Sequence, residues 1–315
     1  MVFFLKISVH LETTISNCKE VSGINKSKLK VVKDTYLVEN YSINCKGNLI
    51  DLSTPKIMSI VNTTPDSFYD GGQYNTIEKA LQKVEVDISN NATFIDIGGY
   101  SSKPNAAHVT EEEELKRTIP VIEAILKSFP EAVISIDTFR GKVAKEAVDT
   151  GAALINDISA FELDKEMINT LKTYKVPYIL MHMLGTPQNM QKNPCYKNVV
   201  KEIVLFLSNK IRELKTFGIH DIIIDPGFGF GKTLSNNYEL IANLNYFTTL
   251  KHPLLVGVSR KSIIYKLLNI NSLESINGTT ALNMYSLLNG ANILRVHDTK
   301  EAKECIRIFN EIQKF

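Results

Sequence analysis

The sequence predicts an α/β protein: a single TIM-type (β/α)8 barrel with a hairpin-like entry and a weakly ordered N-terminal extension. Three observations carry that prediction. Short apolar runs rich in Ile and Val alternate about eight times with longer amphipathic stretches. No break in composition divides the 315-residue chain beyond its first 40 residues. Each run hands over to a polar or charged residue, as expected where barrel strands deliver side chains to the loops that follow them.

Residues 1–40 are rich in Lys, Ser, Asn and Thr, lack a sustained period and read as an appended tail, leaving 41–315 as the barrel domain. Tyr41 to Leu52 reads as a hairpin-like entry. The predicted strands are Ile57–Val61, Thr93–Ile97, Ala132–Ile136, Ala152–Ile155, Tyr178–Met181, Asp221–Ile224, Leu254–Val258 and Asn292–Val296. Their continuous apolar character suits parallel strands covered on both faces. Thr110 and Glu113 have capping-box spacing, and Glu111 to Glu114 sit where a helix dipole favours negative charge. Val143, Ala144, Ala147 and Val148 recur at helical spacing until Gly151 ends the helix. An open doubly wound sheet would need a Gly-rich turn after the first strand, and that strand runs instead into Asn62-Thr-Thr-Pro-Asp-Ser67.

Charge narrows the class of partner. There are 36 Lys and Arg against 34 Asp and Glu, a formal net charge of +2, and residues 1–40, with six Lys and four acidic residues, carry that surplus. A balanced body leaves no electrostatic footprint for nucleic acid or an anionic membrane. No stretch approaches the ~18 apolar residues of a membrane span, and Met1 to Leu5 is too short for a signal core. Cys18, Cys45, Cys195 and Cys305 lie far apart with no C-x-x-C pair, so neither a zinc knuckle nor a disulfide scaffold is expected and the setting is read as cytoplasmic.

The predicted strand ends present Asn62, Asp96, Asp137, Asn156, His182, Asp225, the Ser259-Arg260-Lys261 stretch, and Arg295 with His297. Asp137, Asn156 and Asp225 supply acceptors and one amide, which suits a planar heterocycle with N–H groups on its edge. Lys261, Arg295 and His297 supply donors and positive charge, which suits a phosphate or diphosphate. Met181 and Phe230 are candidate apolar walls. The run Asp225-Pro-Gly-Phe-Gly-Phe-Gly-Lys-Thr233 tempts a P-loop reading, but the spacing would need Gly where Pro226 stands. Its glycines read instead as letting the backbone pass close to a flat ligand. The polar stretch Asn62 to Gly72 reads as a lid over the reaction.

Taken together, Asn62-Thr-Thr-Pro-Asp-Ser-Phe68, Asp96-Ile-Gly-Gly99, Ser135-Ile-Asp-Thr138, Asn156-Asp-Ile158, Met181-His-Met183, Asp225 to Lys232, Ser259-Arg-Lys261 and Arg295-Val-His-Asp298 resemble the dihydropteroate synthase family over about residues 43–315. The resemblance implies a transferase of folate biosynthesis and a sulfonamide target. It joins 6-hydroxymethyl-7,8-dihydropterin diphosphate to para-aminobenzoate with the help of Mg²⁺. It further implies that Asp137, Asn156 and Asp225 hold the pterin, with Lys261 beside the ring. Arg295 and His297 would meet the diphosphate, and Asn62 would place the metal-bound diphosphate. Phe68, Ser102, Lys103, Pro104, Phe230 and Ser262 would line the aminobenzoate side, and the chain would form a homodimer. Lys261, Arg295 and His297 are the expected catalytic set.

One departure stands out. The family commonly reads Glu-Ser-Thr-Arg-Pro in its second loop, and this chain reads Tyr100-Ser-Ser-Lys-Pro104. Tyr100 replaces a carboxylate, and Lys103 keeps the charge of Arg without its planar fork. Two rivals share the recognition set: a pterin-binding methyltransferase acting on a corrinoid, which has no use for a diphosphate-binding cation pair, and a non-catalytic pterin-binding paralogue. Diphosphate release in the presence of para-aminobenzoate separates the three.

Overall fold

The computed structural model describes residues 41–63, 73–101 and 108–315. The N-terminal extension, the proposed lid from Thr64 to Gly72 with Phe68, and Ser102, Lys103 and Pro104 lie outside the described residues.

The chain enters through a two-stranded antiparallel hairpin, β1 (Ser42–Cys45) and β2 (Asn48–Asp51), with Cys45 opposite Asn48. Its two-residue turn needs positive φ at both positions, supplied by Lys46 (53°) and Gly47 (87°). The barrel strands follow: β3 (Lys56–Asn62), β4 (Ala92–Gly98), β5 (Val133–Asp137), β6 (Leu154–Asp157), β7 (Tyr178–Met181), β8 (Ile222–Asp225), β9 (Leu255–Val256) and β10 (Ile293–Val296). They pair in parallel in the order β8-β7-β6-β5-β4-β3-β10-β9. A parallel bridge between Ile224 and Leu254, with Ile224 N donating to Pro253 O at 2.9 Å, joins the two edges. All eight runs anticipated from the sequence are strands, most displaced by one or two residues. The seventh is cut from five residues to two.

The outer helices are α1 (Gln73–Ser89), α2 (Glu111–Ser128), α3 (Gly141–Thr150), α4 (Glu166–Tyr174), α5 (Val199–Thr216), α6 (Leu234–Ala242), α7 (Ser262–Leu268), α8 (Ile276–Leu288) and α9 (Thr299–Ile312). Thr110 caps α2 through Glu113 N, but the reciprocal half of the expected capping box is not made. The Glu113 carboxylate is drawn to Arg117 one turn on, at 2.8 Å. A complete capping box occurs at α6 between Thr233 and Asn236. Gly151, at φ 135°, ends α3 as expected, its N–H reaching Ala147 O and Val148 O.

Two apolar layers explain why the strands read as continuous hydrophobic runs. Outward residues such as Ile95, Ile97, Ile134, Ile136, Leu180 and Ile224 pack under the helices, where Val143, Ala144, Ala147 and Val148 lie buried. Inward residues Met58, Phe94, Leu154, Ile179, Ile223, Leu255 and Ile293 fill the barrel. Ile43, Cys45 and Leu52 join that inner layer from the hairpin. Asn44 N bonds Asp221 Oδ2 at 3.2 Å and Asn292 Nδ2 bonds Leu52 O at 3.2 Å, both just before strands begin. The hairpin therefore plugs the N-terminal end of the barrel, and the opposite end is left for chemistry.

Candidate active site

Side chains on a strand alternate between faces, so two steps beyond each inward apolar residue lies the next inward position. On β4 this takes Phe94 to Asp96, on β6 Leu154 to Asn156, on β8 Ile223 to Asp225 and on β10 Ile293 to Arg295. On β5 it takes Val133 through Ser135 to Asp137. The alternation places a polar layer directly above the apolar plug.

Arg295 is the hub of that layer. Its Nε donates to Asp96 Oδ2 at 2.6 Å and its Nη2 to Asp137 Oδ2 at 2.5 Å. Asn156 Nδ2 reaches the same Asp96 oxygen at 2.9 Å. The other oxygen, Asp96 Oδ1, is buried without a hydrogen-bond partner among the described residues. Burying such an atom unpaired is costly, so a donor entering the cup would find an open acceptor there. The sequence reading put Asp96 at the rim but gave it no role. Its signal was its place two residues before Gly98, where β4 ends. A side chain at Gly98 would lie 3.5 Å from Asp137 Cβ and 3.7 Å from Asn62 Oδ1, so the missing Cβ leaves room between those two groups.

Burial pushes the Asp137 and Asp225 carboxyls up from the usual carboxylate range, against the pull of Arg295 on the first and of Lys261 on the second. Asp225 Oδ1 accepts from Gly227 N at 2.7 Å. Lys261 Nζ donates to Phe228 O at 2.7 Å and sits 4.9 Å from the centre of the Phe230 ring. Burial lowers its pKa to about 8, with Asp225 and Asp137 opposing the fall. Ser262, the first residue of α7, is half-buried beside it. Met181 and Phe230 form a wall with Ile158, Met183, Met190 and Phe139, a cluster separate from both barrel layers.

Three expectations change. The acceptor and cation halves are not separate, because Arg295 is bound to two of the carboxylates. His297 brings a hydrogen-bond donor and not a charge: burial, with Arg295 alongside, lowers its pKa to about 4. Ser259 Oγ accepts from His297 N at 3.2 Å and lies 3.0 Å from His297 Nδ1; with the serine proton on Nδ1, the ring hydrogen would be on Nε2. His182 leaves the site altogether. It follows the inward Met181 by one residue and so faces out, its ring edge-on to Phe206 at 4.9 Å.

The glycine-rich loop after β8 also has a different logic from the one expected. A Cβ on Gly227 (φ 71°) would lie 2.0 Å from His182 O, and one on Gly231 (φ 64°) 2.4 Å from Leu184 O. These two glycines let the β8 loop press on the β7 loop, whereas a Cβ on Gly229 (φ 84°) would meet only Lys261 Cδ, at 3.7 Å. Lys232 fastens the two: its buried side-chain nitrogen donates to Gly227 O (2.7 Å), Phe230 O (2.9 Å) and His182 O (3.2 Å), and lies 3.1 Å from His182 Nδ1.

The family model described as pterin binding enzyme matches residues 58–297. The chain is 43% identical over 265 residues to the dihydropteroate synthase of Escherichia coli K12, covering 84% of this chain and 93% of that one. It is 42% identical to the Haemophilus influenzae dihydropteroate synthase, covering 82% and 94%. Among solved structures, the Yersinia pestis dihydropteroate synthase with a sulfonamide drug superposes with a TM-score of 0.82 at 40% identity, covering 87% of this chain and all of that one. The Xanthomonas albilineans dihydropteroate synthase with 4-aminobenzoic acid gives 0.82 at 36% identity, covering 88% and 99%. With the inward polar layer of Asp96, Asp137, Asn156, Asp225 and Arg295 and the adjoining Lys261 in place, these matches leave one conclusion: the chain belongs to the pterin-binding enzyme family and, within it, to the dihydropteroate synthases.

Proposed function

We propose that this chain condenses 6-hydroxymethyl-7,8-dihydropterin diphosphate with para-aminobenzoate, giving 7,8-dihydropteroate and diphosphate. The observation that carries this reading is the single cup holding Asp96, Asp137, Asn156, Asp225, Lys261 and Arg295. Its carboxylates and amide match the N–H and carbonyl edge of a pterin, and Lys261, Arg295 and His297 Nε2–H supply donors for the diphosphate. A Xanthomonas albilineans relative of 34% identity has been solved with 7,8-dihydropteroate.

The bond from the pterin methylene carbon to the diphosphate oxygen breaks first, its electron pair leaving with the diphosphate. The cation left behind is spread over the ring, where Asp137 and Asp225 favour it. The aniline nitrogen, neutral at pH 7, then attacks the methylene carbon and loses one proton to solvent, so no general base is required beforehand. Catalysis rests on charge stabilisation by preorganised groups, each worth a few kcal/mol, and on orientation of the two reactants.

Among the described residues no group of three or more His, Cys, Asp and Glu could hold a metal ion. A Mg²⁺ carried in with the diphosphate would keep several waters, bind substrate oxygens and ask for only one or two protein ligands. Asn62, whose amide oxygen faces the cup beside Gly98, would be such a ligand, and the ion would neutralise charge on the leaving group. A homodimer is part of the same reading, supported by exposed Leu267, Leu268, Tyr285, Leu288, Ile308 and Ile312 on the neighbouring helices α7 to α9. So is a reducing, cytoplasmic setting, supported by unpaired Cys45, Cys195 and Cys305. No helix among the described residues is long and apolar enough to cross a membrane.

A coupled assay for diphosphate tests the reading. Release should require both dihydropterin diphosphate and para-aminobenzoate. Release independent of the amine, or none from folded protein, overturns it.

A further inference from the structure

The stretch Tyr100-Ser-Ser-Lys-Pro104 opens on an aromatic residue that ties three loops together. Tyr100 lies two residues beyond the end of β4 and is half-buried. Its ring meets Phe139 edge to face, with centroids 5.1 Å apart and planes at 82°. The Arg140 guanidinium lies 5.4 Å from the Tyr100 ring centre and 5.1 Å from that of Phe139. Arg140 is itself fixed by a buried ion pair with Glu114 and a 2.6 Å bond to Val109 O. The Tyr100 hydroxyl accepts from Gln188 Nε2 at 2.7 Å. One side chain thus joins the loops that follow β4, β5 and β7.

Charge explains why a tyrosine works here. Glu114 is fully buried, and its Oε1 has no hydrogen-bond partner among the described residues. A carboxylate at position 100 would add a second anion near Glu114 and compete for Arg140. A neutral ring instead offers the guanidinium its face and leaves the hydroxyl to reach Gln188.

We propose that Tyr100 is a positioning residue that sets affinity for the arylamine. The path runs through contacts already given. Tyr100 holds Phe139, and Phe139 and Phe230 both pack against the cluster of Ile158, Met181, Met183 and Met190, which joins Tyr100 to the wall read as lining the aminobenzoate side. Gln188 sits between Met183 and Met190 in the same loop. The groups read as holding the pterin lie at the strand ends, inside this brace, so the outer substrate feels its loss. This rests on the function proposed above.

Steady-state kinetics with both substrates test it. Tyr100→Ala removes a ring pair, a cation–π contact and a hydrogen bond, and should raise KM for para-aminobenzoate about tenfold. KM for dihydropterin diphosphate should change less than about twofold and kcat less than about threefold, as for loss of uniform binding of one partner. Tyr100→Phe and Gln188→Ala delete the same hydrogen bond, so each should raise KM for the amine about threefold and the double variant no further. Gln188 is exposed, so its variant serves even if Tyr100→Ala fails to fold. An unchanged amine KM, an equal rise for both substrates, or additive effects in the double variant each overturn the brace. Inactive wild-type protein would instead overturn the enzyme reading itself.

Discussion

Lys261 offers the most direct test of the cup. Burial holds its pKa near 8, so in the free enzyme the ammonium is largely charged at pH 7 and lost through the next unit and above. If that charge receives the diphosphate substrate, kcat/KM should fall on the alkaline side with a midpoint near 8. Lys261→Arg, though a poorer catalyst, should carry that limb beyond the measurable range. A limb that stays near pH 8 in the variant assigns the titration elsewhere. Stability should respond with the opposite sign. Between about pH 8 and 10.5 the unfolded chain keeps a proton that the folded one has lost, so this group's contribution rises with pH. Asp225→Asn should weaken dihydropterin diphosphate binding at least tenfold by calorimetry, since an amide presents N–H where an acceptor is needed; unchanged affinity would remove Asp225 from the pterin site. Asp137, Asn156 and Asp225 were legible as rim residues because each closes an apolar run, and Arg295 and Lys261 because they stand as charges within or just past one. His182 and His297 were not separable that way. Counting in twos from an inward neighbour separates them: His297 follows Arg295 by two residues and faces in, whereas His182 follows Met181 by one and faces out.

The loop between β8 and α6 shows how an element can be recognised while its physical reason is misread. Its glycines and Lys232 were visible as a pattern, and the spacing correctly excluded a P-loop. What the sequence could not disclose is that the close approach is to the neighbouring β7 loop, because the contacts join residues about 50 positions apart. Lys232→Met should remove the donor from three carbonyls, two of them buried, and destabilise the protein by about 2–4 kcal/mol in urea unfolding. Gly227→Ala combines a left-handed φ with a Cβ driven into His182 O, and should cost more than about 3 kcal/mol. If both variants unfold like the wild type, the two loops are not fastened as described. The same limit applies to α2. Thr110 and Glu113 had the right spacing for a reciprocal cap, and Arg117, four residues on, claimed the glutamate.

Across the molecule, the eightfold alternation of apolar runs and amphipathic stretches made the barrel legible, since covering a parallel sheet on both faces leaves little room for polar residues in its strands. The same feature hid the division of labour within each strand. Inward and outward residues are both apolar over most of their length and diverge toward the C-terminal ends of the strands, where Asp96, Asp137, Asn156, Asp225 and Arg295 appear on the inward side. The hairpin was anticipated as an entry element. Its function as a plug was not, because Ile43, Cys45 and Leu52 meet partners such as Ile179 and Ile293 far along the chain.

That plug has a kinetic consequence. A cavity stoppered at one end has a single doorway, so whatever lodges deepest must arrive earliest and whatever sits nearest the exit blocks the traffic behind it. With the heterocycle seated on the innermost polar layer, the two reactants should queue. By equilibrium dialysis the diphosphate ester should bind on its own, and the amine should be retained only once that ester, or a dihydropterin with free diphosphate, is in place. Equal retention of the amine by the empty protein would mean that a second entrance exists.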